Sequence, residues 1–253
     1  MYDRSSYAVD DFLTNKPDIV APAQGFSFVK RDSVTGEIYI DTNYYNGWDY
    51  YYSGTSLAAP LVTGVVAQMH EANASLLDNP TATKAIVLAG ADFDAISGED
   101  NDLWDYCCAA RVKSGVGFLN AERAVRIAEA GNYQYSVLFM NATSRYVGKS
   151  SPCALVEIAA NSKIRIVMTY NKPKEFTDIE DFAYGNNMDL DLFYRSEVWC
   201  ESSQNDFNNV EVIEYVVDTA GTYAIEVYVA ALTQTPTRVL MDRSVAWYIE
   251  PVT

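Results

Sequence analysis

From residue 133 onward the chain keeps switching between apolar and polar residues at every second position, and this period of two restricts the fold more than any other feature. "KIRIVMTY" (163–170) puts Ile164, Ile166, Met168 and Tyr170 on one face, and "TYAIEVYV" (222–229) does the same with Tyr223, Ile225, Val227 and Val229. Successive side chains of a strand point to opposite faces, so each run has one face to bury. "YQYSVLFM", "ALVEIAA", "MDLDLFY", "VEVIEYVV" and "VAWYI" follow the same rule between turn residues. About seven such runs predict an antiparallel β-sandwich, jelly-roll-like, over 133–253.

Before that point the pattern is different. A helical run extends from about Ser56 to Glu71, with Pro60 in its early turns. "TATKAIVLAG" (81–90) predicts a second helix ending on glycine, and "NAERAVRIAEAG" a third, with Asn120 as N-cap and Gly131 just past its end. "KPDIVAP" (16–22) predicts a short strand ending at a proline, and the Tyr-, Asn-, Asp- and Gly-rich stretch 23–52 predicts loop and hairpin. A domain boundary is expected near residue 132, giving units 1–132 and 133–253.

The stretch "SGTSLAAPLVTG" (53–64) sets a serine at the joint between a glycine turn and a helix. The first backbone N–H groups of a helix have no intrahelical acceptor and carry partial positive charge. An oxyanion formed beside Ser56 could use them, and Gly54 would let a substrate come close to the backbone. The ordinary role of Ser or Thr at such a place is to cap the helix.

Gly54, Thr55, Ser56, Ala58, Pro60, Val62 and Gly64 stand in the pattern Gly-Thr-Ser-x-Ala-x-Pro-x-Val-x-Gly. This resembles the serine signature of the subtilisin-like serine proteases. "KPDIVAP" is similar to the strand preceding that signature, and "GVGFLNAERAV" (115–125) to the helix start following it. Leu57 stands where the family has Met, and Ala23 where it has Gly. The resemblance implies an α/β fold with part of a subtilisin-like parallel sheet for 1–132, and Ser56 as acylating nucleophile of a serine endopeptidase. Gly54, Thr55 and Ser56 would then form part of the oxyanion and substrate-binding surface, with a peptide or protein as substrate. It also implies a secreted or cell-surface location, and a β-sandwich of the kind that follows the protease domain in some larger subtilases.

A serine hydroxyl is a weak nucleophile until a base takes its proton. The chain has one histidine, His70, fourteen positions after Ser56 on the same predicted helix. At 1.5 Å per residue the two would be about 21 Å apart, whereas proton transfer needs about 3 Å. In the family the histidine, the aspartate and the oxyanion asparagine all precede the strand that "KPDIVAP" resembles. The resemblance therefore implies that they lie upstream of this chain, whose partner is the missing N-terminal part of the same catalytic domain. The chain alone is expected to be inactive. Loss of the serine or histidine of such a triad costs roughly 10⁶-fold in turnover, a magnitude measured in that family. Lys84 and Lys113 are the candidates for a Ser-Lys arrangement, but nothing in the sequence marks either as buried.

The net charge of −16 disfavours nucleic acid and anionic membranes as partners, and no apolar run is long enough to span a bilayer. No cofactor is required for acyl transfer. Calcium is a candidate ligand: Asp189 and Asp191 share a strand face in "NNMDLDLFY", beside Asn186 and Asn187. "DFDAISGEDND" (92–102) is oxygen-rich but lacks a calcium-loop spacing, and the tyrosines of 39–52 could stack a peptide or sugar. Of the four cysteines, Cys153 and Cys200 form a candidate disulfide within one unit, while Cys107 and Cys108 are adjacent. The alternative to an enzyme is an inactive module whose sandwich binds a protein or glycan.

Overall fold

The structure is a computed structural model of the 253-residue chain. It describes residues 17–26, 28–41, 44–45, 48–49, 52–92, 115–140, 153–171, 187–204, 209–231 and 239–252.

The described part of the first half begins with short antiparallel pieces. β1 (Gln24–Phe26) pairs with β6 (Tyr52–Ser53), β2 (Phe28–Arg31) with β3 (Ile38–Asp41), and β4 (Tyr44–Tyr45) with β5 (Trp48–Asp49). The Asp32 carboxylate accepts the Val34 and Thr35 amides at 2.8 and 2.7 Å and fixes the turn between β2 and β3. Helices α1 (Thr55–Ala72), α2 (Pro80–Gly90) and α3 (Ala121–Ala130) follow, with a 3₁₀ turn at Ala74–Leu76. Pro80 opens α2 where a missing N–H is harmless, and the Asn120 side chain caps α3 by accepting the Arg123 amide.

The described residues of the predicted strand, 17–22, form less than a full strand. Val20 makes one parallel bridge with Phe118, and Phe118 makes one antiparallel bridge with Asp92. Every pair of named strands is antiparallel. The described residues thus carry one parallel contact of the expected α/β sheet.

The second half is β-rich, as its alternation predicts. β7 (Tyr133–Met140), β8 (Ala154–Ile158), β9 (Ser162–Tyr170), β10 (Asn187–Tyr194), β11 (Val198–Ser203), β12 (Val210–Val217), β13 (Gly221–Ala231) and β14 (Val239–Pro251) form two four-stranded antiparallel sheets. Their orders are β12-β9-β14-β7 and β11-β10-β13-β8. Between the sheets lies a core of Ile164, Ile166, Met168, Leu190, Leu192, Ile225 and Val227. β11 escaped the sequence reading because "VWCESS" has little apolar alternation and lies at a sheet edge.

The alternate residues of β9 are also buried. Val167, with Val210, Val212 and Ala246, packs under Ile86, Leu88 and Ile127 of α2 and α3. The first sheet is therefore a middle layer, apolar toward the second sheet on one face and toward the helices on the other. α3 ends before Gly131 and β7 begins at Tyr133, and this core runs across the junction.

The candidate Cys153–Cys200 disulfide is not formed; both thiols are free. Cys153 adjoins β8 and Cys200 lies in β11, at opposite edges of one four-stranded sheet. Three strand spacings separate those edges by about 14 Å, and a disulfide needs Cα atoms within about 7 Å. Cys107 and Cys108 lie outside the described residues.

Candidate active site at the start of the first helix

Gly54 is the N-cap of α1, with φ 146° and ψ 154°. That region is closed to side chains, although the space around Gly54 is open: an added Cβ would meet only the Ser56 amide, at 4.0 Å. Backbone conformation, not crowding, is what calls for glycine here. The Gly54 amide donates to the Ala23 carbonyl at 2.7 Å, and its carbonyl accepts the Leu57 amide at 2.9 Å. The turn into the helix is thereby tied to the segment that leaves "KPDIVAP".

No side chain caps α1, and its first turn holds no acidic residue. Thr55 and Ser56 are exposed and neither takes the capping role their residue type favours. Their amides have no intrahelical acceptor. Pro60 is the sixth residue of α1, in its second turn. Lacking an N–H, it also leaves the Ser56 carbonyl without its usual i+4 donor. The arrangement presents a hydroxyl beside two outward-facing N–H groups at the positive end of an 18-residue helix.

His70 is on the same helix, about 21 Å along its axis. Its Nε2 lies 3.1 Å from Thr83 Oγ1 on α2. Lys84 forms an ion pair with Asp18 at 3.1 Å, and Lys113 lies outside the described residues. None of the described candidates reaches Ser56. Further along α1, toward its C-terminal end, α1 and α2 leave an apolar groove of about 470 Å³ lined by Ile19, Val62, Val66, Leu77 and Val87, with His70 among its polar residues.

Asp189 and Asp191 alternate with the fully buried Leu190 and Leu192 on β10, opposite Tyr228 and Glu226 of β13. Among the described residues no group of three or more His, Cys, Asp or Glu could hold a metal ion. Asn186, residues 93–102 and the side chains of 40–52 lie outside the described residues. That leaves the fourth oxygen of the calcium reading, most of the oxygen-rich loop and most of the tyrosine cluster undescribed.

Sequence reasoning missed Arg165. It sits at an ordinary polar position of "KIRIVMTY", yet its side chain is 5% exposed and reaches the carbonyls of Ala91 and Val116. A charged residue in a strand buried on both faces is the signal, and it becomes visible only once the middle layer is known.

Among the described residues no helix is long and apolar enough to cross a membrane. No curated protein matches the chain. A solved structure, the periplasmic inhibitor of g-type lysozyme PliG from Aeromonas hydrophila, is similar at 10% identity over 47% of this chain and 90% of that one. Its TM-score of 0.22 is too low to speak for fold or function. The model of the subtilase family, Peptidase_S8, matches residues 1–122. That match supports membership of the subtilases, a family of serine-type peptidases, for the part of the chain that carries Gly54, Thr55 and Ser56.

Proposed function

We propose that the chain is the C-terminal part of a subtilisin-like serine endopeptidase that hydrolyses peptide bonds through an acyl-enzyme on Ser56. One observation carries the reading: the serine of a subtilase signature is exposed at an uncapped helix start, within the residues the family model matches. Ser56 Oγ would attack the scissile carbonyl and break the bond to the leaving amine. The Ser56 amide would donate to the oxyanion.

A histidine base would come from outside these 253 residues, since the single histidine is about 21 Å away. Histidine, aspartate and the oxyanion asparagine are placed upstream, and the groove between α1 and α2 offers apolar surface for that part to cover. A secreted or cell-surface location fits the family. The paired sheets would stabilise the catalytic half or help present substrate.

The test is to read the gene upstream of Met1 for an Asp-bearing strand, a Gly-rich histidine motif and an asparagine, and to express the extended chain. It should cleave a denatured protein substrate, and Ser56→Ala should reduce turnover by about 10⁶-fold. An upstream stop codon, or an extended chain whose peptidase activity survives Ser56→Ala, would overturn the proposal.

A further inference from the structure

Arg165 joins the two halves of the molecule at one point. From β9 its Nη1 donates to the Ala91 carbonyl at 2.6 Å and its Nη2 to the Val116 carbonyl. Nη1 also lies 3.3 Å from Glu214 Oε1 on the neighbouring strand β12. The planar fork of a guanidinium can serve two carbonyls and a carboxylate at once, which an ammonium on a flexible stem cannot do with the same geometry.

Both carbonyls belong to the bridge region that holds the segment leading to Ser56. Beside Ala91, Asp92 exchanges two backbone bonds with Phe118, at 2.7 and 2.8 Å. Val116 donates to the Asp18 carbonyl at 2.9 Å, Val20 to Gly117 at 3.0 Å, and Leu119 to Val20 at 2.8 Å. The two segments approach so closely at Gly115 that an added Cβ would stand 2.3 Å from the Pro17 and Asp18 carbonyls. Three residues beyond Val20, the Ala23 carbonyl accepts the Gly54 amide at 2.7 Å. Ser56 is two residues further on.

We propose that Arg165 is a positioning residue, through which the paired sheets fix the segment 17–23 and hence the turn that presents Ser56. The geometry stands without any assumption about chemistry, while its functional meaning rests on the reading of Ser56 as nucleophile. The paired sheets would then act as the anchor that holds the glycine turn in register.

Amide hydrogen exchange on the full 253-residue chain tests this, because it reads local opening separately from global unfolding. Arg165→Met should raise exchange at Val20, Gly54 and Leu119 by about tenfold, with Leu190 and Val227 between the sheets unchanged. Arg165→Lys, which keeps the charge and can reach one carbonyl, should give an intermediate rise at the same amides. A uniform rise across both sheets and the helices would assign Arg165 to general stability only. An unchanged Gly54 would break the proposed link. Either result overturns the proposal, and if Arg165→Met does not fold, Arg165→Lys decides by the same criteria. Failure of Ser56 to react with an acylating reagent in the chain extended by its upstream coding sequence would refute the nucleophile reading and leave this exchange pattern untouched, so the two ideas fail separately.

Discussion

Gly54 holds a backbone conformation that side chains do not adopt, and the exposed hydroxyl of Ser56 follows two residues later. Gly54→Ala should cost about 1–3 kcal/mol in urea unfolding, since the added Cβ meets strain and no clash. A cost near zero would mean that the turn relaxes freely and holds nothing in place. Burial pushes the Cys153 thiol up to about 11 and also raises that of the half-buried Cys200. At pH 8 iodoacetamide should therefore modify Cys200 before Cys153, as read by peptide mass mapping. Failure of both to react under non-reducing conditions would point to the disulfide that the strand order forbids. The position of Ser56 at a helix start was legible in the sequence because a glycine turn and a helical run meet there. The cysteine pairing was not, because linear spacing carries no information about which strands become opposite edges.

α3 was legible because its Asn120 cap, its Gly131 end and its apolar spacing agree, and most strands because their alternation is strong. β9 shows the limit. Its pattern marks one core face, but Arg165, Val167 and Thr169 on the other face are buried too, under the helices. Only the order of layers reveals that. The β2–β3 hairpin offers an element-scale test. Amide bonds from Thr35 and Val34 hold the exposed Asp32 carboxyl below its ordinary 3.8. Its help to the turn is complete above that ordinary value and is lost as pH falls through the lowered one. The Val34 and Thr35 amide resonances should therefore titrate with a midpoint below 3.8. A midpoint at or above it would mean that the turn bonds are absent in solution.

The described residues stack helices on one antiparallel sheet and that sheet on another, with an apolar core on each side of the middle layer. The parallel sheet expected for residues 1–132 is represented among the described residues by a single bridge. The net charge of −16 puts like charges against one another in the folded state. Raising NaCl from low to about 0.5 M should accordingly raise the melting temperature in calorimetry, since screening at that strength reaches within a few ångströms. A falling melting temperature would show that ion pairs such as Arg123–Glu250 outweigh the repulsion. At this scale the central claim concerns a nucleophile separated from its base. Intact-mass measurement after treatment with a fluorophosphonate tests it most directly, applied to the 253-residue chain, to the chain extended by its upstream coding sequence, and to the extended Ser56→Ala variant. The expected result is one adduct, mapped to Ser56, on the extended chain and on neither of the others. An adduct on Ser56 of the 253-residue chain at the same rate, or on the Ser56→Ala variant, would contradict it.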